Sequence, residues 1–188
     1  MNEIDFKNHL EQYTLLTDQE FEQILRYFSH KKLKKNEYLV QSDQLVDHTY
    51  WIKNGLLIST FLDAKGKDHI IQFAIEKCCI TDQQAFYNQT RSTFNIVCVE
   101  DSEALCLSYA NRERLCADIP KMETFFRKKA NDSFVKQQKR LLTYMTSEAK
   151  ERYDLLLQEY PGLVQRVPKK ILAAYLGVTR ETLSRFRH

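Results

Sequence analysis

Glycine and proline are scarce in this 188-residue chain, four and three in all, and nothing in it reads as fibrous, repetitive or disordered. No apolar run approaches the roughly 20 residues needed to cross a bilayer. The opening MNEIDFKNHLEQY lacks the basic flank and apolar stretch of a secretory leader, so a soluble, cytoplasmic protein without a membrane partner is expected. The five cysteines, Cys78, Cys79, Cys98, Cys106 and Cys116, are odd in number and form no C-x-x-C pair. They suggest neither a disulfide framework nor a zinc ribbon, and reduced thiols are expected. His9, His30, His48, His69 and His188 are scattered, so no metal site is expected either. There is no G-x-S-x-G, no P-loop and no H-E-x-x-H, and no nucleophile stands beside a base, which argues against an enzyme.

What is present is an apolar fraction of 43%, enough to fill the core of one generous domain or two small ones, and a charge that is unevenly spread. Residues 1–120 hold 13 Lys and Arg against 18 Asp and Glu, whereas residues 121–188 hold 15 against 7. A neutral or acidic body joined to a basic end suits contact with a polyanion.

Three textures follow one another along the chain. Thr17, Asp18, Gln19 and Glu20 make a capping-box pattern ahead of FEQILRYF, which predicts a short amphipathic helix. From about Lys34 to Leu107 the runs EYLVQ, TYWIKNGLLISTFL, HIIQFAI, FNIVCV and EALCLS are short, aromatic and β-branched. Turn-like residues divide them, with Gly55 and Gly66 where tight turns want positive φ, and no helix intervenes; a β sandwich or roll is expected. After Asn111 the period becomes helical: Leu115, Ile119, Met122, Phe126, Ala130, Phe134, Leu141 and Met145 recur at three or four, interrupted by Gln137. A helix of about 26 residues would be close to 40 Å long, more than a small domain needs. Its apolar stripe, over 119–145, predicts a parallel seam with a second copy.

Ser147 is read as the cap of a further helix that Pro161 and Gly162 end, Pro168 opens KKILAAYLG, and Thr179 is the N-cap of RETLSRFR. A helix-turn-helix needs a small residue facing its partner, a glycine four residues on, and apolar anchors beneath the second helix. Ala173, Gly177, Leu183 and Phe186 meet these needs in order. The second helix then turns Arg180, Glu181, Ser184 and Arg185 outward. Arginine can donate twice to guanine O6 and N7, and glutamate can accept from the N4 amine of cytosine, so these are the candidate base-reading residues. Lys169, Lys170, Thr179, Thr182 and Arg187 are candidate phosphate contacts.

On KKNEYLVQSD, TYWIKNGLLISTFLDAKGKDHIIQF and ERYDLLLQEYPGLVQRVPKKILAAYLGVTRETLSRFR, the chain resembles the bacterial Crp/Fnr-type transcription regulators, in particular the short members found in the Bacteroidetes. The resemblance implies an α+β protein: a cyclic-nucleotide-binding-like jelly roll with an N-terminal helix over 1–110, a dimerisation helix over 111–146, and a helix-turn-helix over 147–188; the β-hairpin wing of many family members is not evident in this chain. It also implies double-stranded DNA with an inverted-repeat site, a second copy of the chain and RNA polymerase as partners. Arg180, Glu181 and Arg185 fall on positions that read a GTGA-like half-site in the cyclic-AMP receptor branch, while Glu181, Ser184 and Arg185 equally fit the E-x-x-S-R of the oxygen-sensing branch, with TTGA-like half-sites.

The family's phosphate cassette carries G-E near its start and R-S near its end. Here CCITDQQAFYNQTRSTF keeps Arg91 and Ser92 but sets Thr81 for the glycine and Asp82 for the glutamate, in a loop about one residue short. Phe125 and Phe126 on the long helix stand for hydroxyls that would meet adenine. These six residues are the candidate effector pocket, with cyclic AMP not the expected ligand. The first 77 residues hold no cysteine, so no iron–sulfur cluster is expected. A cyclic-nucleotide-dependent regulator of the same fold, and a roll that binds a partner without DNA specificity, are the alternatives.

Overall fold

A computed structural model describes residues 3–186. Helices α1 (Glu3–Glu11) and α2 (Asp18–Leu25) precede strands β1 (Ser29–Leu33), β2 (Tyr38–Val40), β3 (His48–Asn54), β4 (Leu57–Leu62), β5 (Asp68–Ala74) and β6 (Cys79–Ile80). Helix α3 (Gln83–Asn88) leads to β7 (Asn95–Cys98) and β8 (Ser102–Ser108). The rest is helical: α4 (Tyr109–Asp118), α5 (Lys121–Thr146), α6 (Ala149–Glu159), α7 (Leu163–Arg166), α8 (Lys169–Leu176) and α9 (Arg180–Arg185). The strands form two antiparallel four-stranded sheets, ordered β1-β8-β3-β6 and β2-β7-β4-β5.

The period-two rule explains how four layers arise from these strands. In β3, Tyr50 and Ile52 point into the core between the sheets, and Trp51 points out; in β8, Ala104 and Cys106 point in, and Leu105 and Leu107 out. The outward residues are covered by Phe6, Leu10, Phe21 and Ile24 of the N-terminal helices and by Leu115, Ile119, Met122 and Phe125. The second sheet repeats the pattern: Leu57, Ile96 and Cys98 face the shared core, while Ile58, Ile70, Phe73 and Val99 face out against Leu163, Leu172, Ala173, Leu176 and Leu183. Strands apolar on both faces read as near-continuous hydrophobic runs, and each side chain so buried contributes about 1.5–3 kcal/mol.

The capping box forms as its pattern predicts: Thr17 Oγ1 accepts from the Glu20 amide at 3.2 Å, and Glu20 Oε2 accepts from the Thr17 amide at 2.8 Å. Four details differ from the sequence reading. Helix α1 and strands β1 and β6 were not foreseen; β1 is an edge strand exposed at four of five positions, so it lacks an alternating pattern. Helix α3 interrupts the strands inside the cassette. The stretch 111–146 is two helices: α4 ends where Ile119 leaves helical geometry with φ −132°, and α5 starts after Pro120, where the sequence marks a start for its 26 residues. Ser147 closes α5 rather than capping α6: its amide bonds Thr143 O, and Glu148 takes the N-cap position of α6.

That break changes what the apolar stripe can do. Ile119, Met122 and Phe125 are buried within the chain, whereas Phe134, Leu141, Leu142 and Met145 are exposed, Phe134 at 70% and Met145 at 71%. The free part of the stripe is therefore its C-terminal half.

Gly55 turns β3 into β4 with φ +106°, and a Cβ placed there would lie 2.2 Å from Ser102 Oγ. Both the left-handed backbone and the contact oppose any side chain. Gly55→Ala is expected to lower stability by about 2 kcal/mol or more, read as a fall in the thermal unfolding midpoint. An unchanged midpoint would contradict this packing.

Candidate nucleic-acid interface and effector cassette

Helix α8 ends on Gly177, which takes the left-handed conformation at φ +71° and returns its amide to Ala173 O and Ala174 O. The chain then re-enters helix at Thr179, whose hydroxyl accepts from the Thr182 amide at 3.1 Å. Leu183 is buried beneath α9 with Ala173 and Leu176, and Phe186 packs against the same cluster. This leaves Arg180, Glu181, Ser184 and Arg185 together on the exposed face, with Lys169, Lys170 and Thr179 exposed nearby and Thr182 half-buried. Arg187 lies outside the described residues. The start of α9 holds the Glu181 carboxyl below its ordinary range, first through its own backbone N–H and then through Thr179, so it stands as an acceptor. Lys150 Nζ donates to Phe186 O at 3.1 Å, closing the last turn of α9 onto α6.

In the cassette, Asp82 is 2% exposed and fully engaged. Its Oδ1 accepts from the Ala85 amide at 3.0 Å as the N-cap of α3, and Oδ2 accepts from Ser92 Oγ at 2.9 Å and the Thr93 amide at 3.1 Å. Thr81 Oγ1 donates to His48 O at 2.8 Å. Arg91 is exposed and reaches outward to the Asp43 carbonyl and carboxylate.

Phe125 and Phe126 do not join these four in one pocket. Phe125 is buried under α1, edge-on to His9 and Tyr13. Phe126 is separated from the cassette helix by Arg112, whose guanidinium lies 4.7 Å from the Phe126 ring and 5.4 Å from the Tyr87 ring. The helix break explains the difference: the first turns of α5 face the N-terminal helices, not the cassette. A cleft of about 420 Å³ lined by Gln23, Arg26, Tyr27, Asn111, Arg114, Asp118 and Ile119 lies between α2 and α4, apart from the cassette.

Residues 30–118 match the cyclic nucleotide-binding domain family. The chain is 22% identical over 165 residues to the transcriptional regulatory protein btr of Bordetella pertussis, covering 82% of this chain and 67% of that protein. Among solved structures, the catabolite activator protein of Thermus thermophilus aligns with TM-score 0.59 and 19% identity over 92% of this chain and 83% of its own. FixK2 of Bradyrhizobium japonicum aligns with TM-score 0.70 and 16% identity over 85% and 82%. This is the Crp/Fnr-type regulator fold. Within it, no helix among the described residues is long and apolar enough to cross a membrane.

Several residues that organise the Crp/Fnr fold here were missed by sequence reasoning. Arg152 donates to Ser147 O at 2.6 Å and Leu176 O at 3.0 Å, tying the end of α5 to the turn of the helix-turn-helix. Arg140 donates to Ile71 O and lies over the Tyr175 ring at 4.5 Å. Arg166 pairs with Glu76 and Glu100. All three lie in the basic half of the chain, so their charge was counted toward a polyanion. Burial also pushes the thiols up, Cys79 to about 11, so neither Cys78 nor Cys79 is a ready thiolate.

His9 was set aside as one of the scattered histidines, yet it is 4% exposed, packed on Trp51 and Phe125 with Cys79 Sγ 3.8 Å from Nε2. Burial, and then nearby Lys129, holds its imidazole down to about 4. The unfolded chain would protonate it near 6.5, so its contribution is full above that pH and is lost as pH falls from about 6.5 toward about 4. His9→Phe is expected to flatten the loss of stability across that window, measured by urea unfolding at about pH 7 and about pH 4.5.

Proposed function

We propose that the chain is a homodimeric, sequence-specific DNA-binding transcription regulator without catalytic activity of its own. The sensor roll spans 1–110, the reading head 147–188, and between them 111–146 carries the dimer contact on the C-terminal half of α5. The observation that carries the reading is the exposed quartet Arg180, Glu181, Ser184 and Arg185, borne on a helix whose opposite side is anchored by Leu183. Its residue types match the major-groove edges of guanine and cytosine, and the start of such a helix is the part that meets base edges. Lys169, Lys170, Thr179, Thr182 and Arg187 contact phosphates. Dimerisation is supported by the exposed Phe134, Leu141, Leu142 and Met145, a patch that a lone soluble chain would leave in water. Two heads then meet an inverted repeat with half-sites about 34 Å apart, and the complex engages RNA polymerase.

The ligand of the roll is not cyclic AMP in this reading. A cyclic nucleotide needs backbone approach to its phosphate and a free carboxylate for its ribose. Thr81 places a Cβ where the family has glycine, and the Asp82 carboxylate is already committed to Ala85, Ser92 and Thr93.

Selection of bound sequences from random duplex DNA is expected to return a two-fold-symmetric site. Arg185→Ala should erase its guanine preference, a loss of about 1–3 kcal/mol of discrimination, and Leu141→Glu should reduce the selected site to one half. Recovery of no preferred sequence would overturn the reading. Isothermal calorimetry with cyclic AMP and cyclic GMP is expected to give no heat of tight binding; micromolar affinity would overturn the ligand assignment alone.

A further inference from the structure

The reading head touches the roll in two chemically different ways. The larger contact is apolar, with Phe73 and Tyr175 rings 4.7 Å apart in its middle. Apolar burial is itself non-directional, whereas a contact between charged groups of fixed shape carries a direction. The second contact is Arg166, on α7 just ahead of the helix-turn-helix. Its Nη1 and Nη2 reach Glu76 Oε2 and Oε1 at 2.9 and 2.8 Å, while Nη2 and Nε reach Glu100 Oε1 and Oε2 at 2.5 and 3.4 Å. Both edges of the planar guanidinium are engaged by carboxylates, a geometry that does fix direction.

The places of the two carboxylates in the chain give this clamp its meaning. Glu76 stands where the chain crosses from β5 in one sheet to β6 in the other, and Glu100 where it crosses from β7 to β8. Between those crossovers lies the cassette, from Thr81 to Ser92. Each jaw is joined firmly to the roll: Glu76 Oε1 accepts from the Gly55 amide at 3.0 Å, Lys77 N donates to Ile52 O at 2.9 Å, and Ser102 Oγ donates to Glu100 O at 2.8 Å. The segments entering and leaving the cassette therefore each carry one jaw, and Arg166 closes on both.

We infer that Arg166 is a positioning residue that couples the cassette to the reading head, its grip on Glu76 and Glu100 setting the angle of α8 and α9 according to the spacing of the two segments that bracket the cassette. The inference deepens the DNA-binding reading by naming how the head is regulated. Because Arg180, Glu181, Ser184 and Arg185 stay exposed while the head is docked, the clamp orients the reading face and does not cover it.

Hydrogen exchange on the full-length protein tests the coupling without DNA. Arg166→Gln is expected to speed exchange of α8 amides about tenfold or more. Asp82→Asn, which sets an amide against the Thr93 N–H, should speed α8 exchange in the wild-type background and add nothing in the Arg166→Gln background. Unchanged α8 exchange in Arg166→Gln, or additive effects of the two substitutions, would overturn the inference. Should Arg166→Gln not fold, Glu100→Gln, which keeps a carbonyl acceptor, carries the same comparison. In a DNA arm, wild-type protein should prefer its selected repeat over one with about five inserted base pairs, half a helical turn. Arg166→Gln should lose about tenfold of that preference at unchanged half-site affinity; full retention counts against the clamp. If the wild-type protein prefers no duplex, the DNA reading fails, and the exchange comparison still decides the coupling.

Discussion

Both sheets of this protein are apolar on both faces, and most of its architecture is a response to that constraint. Alternation along β3 and β8 sends Tyr50, Ile52, Ala104 and Cys106 inward and Trp51, Leu105 and Leu107 outward; β4, β5 and β7 do the same on the other side of the core. A sheet with an uncovered apolar face would leave a patch that soluble proteins rarely expose. One cover is made by the N-terminal helices together with α4 and the first turns of α5. The other is the C-terminal helical unit, so the element that exposes Arg180, Glu181, Ser184 and Arg185 is also half of the roll's packing.

That division of labour decides what the long helix is free to do. Its first turns are used up as cover, with Met122 and Phe125 inside the chain. From Asn131 to Lys139 every residue is exposed, and Leu141, Leu142 and Met145 beyond them are exposed as well. A helix of this length is stabilised mainly by burying one face. The part that carries Phe134, Leu141 and Met145 keeps an exposed apolar face that the part carrying Met122 does not.

The strands of the roll interior were legible because β-branched and aromatic runs divided by turns have few other solutions, and the turn at Gly177 was legible because a left-handed residue four positions after a buried alanine leaves little choice. That Arg180, Glu181, Ser184 and Arg185 share the exposed face of α9 followed from the same spacing. Illegible were the elements whose signal is tertiary. Strand β1 pairs at an edge and needs no alternation; α1 packs through Phe6 and Leu10 with a buried His9 between them. The three-to-four period runs across the break at Ile119 and is interrupted only at Gln137, so sequence alone gives one surface where Met122 and Phe125 are buried and Phe134 and Met145 exposed. Arg140, Arg152 and Arg166 look like any other basic residues until their carbonyl and carboxylate acceptors, 24 to 90 positions away in the most distant cases of Arg152 and Arg166, are seen.

The cassette shows how one shortened side chain can change the task of a whole loop. A carboxylate one methylene longer can leave its own backbone and meet a ligand hydroxyl; Asp82 instead stays on the first turn of α3 and accepts from Ala85, Ser92 and Thr93. Any ligand that recruited it would strand buried donors, each costing about 1–3 kcal/mol when unpaired, before gaining anything in return. The cassette is thus closed by its own hydrogen bonds, and the Ser92 hydroxyl serves Asp82. A ligand moves an equilibrium only by what it gains in one arrangement over the other, and under the coupling inferred above the arrangement at issue is the relative position of the segments that enter and leave the cassette, strands β6 and β7. The junctions on the far side of those strands are where Glu76 and Glu100 stand, which makes the end of the roll under the reading head the place where such a shift would be felt.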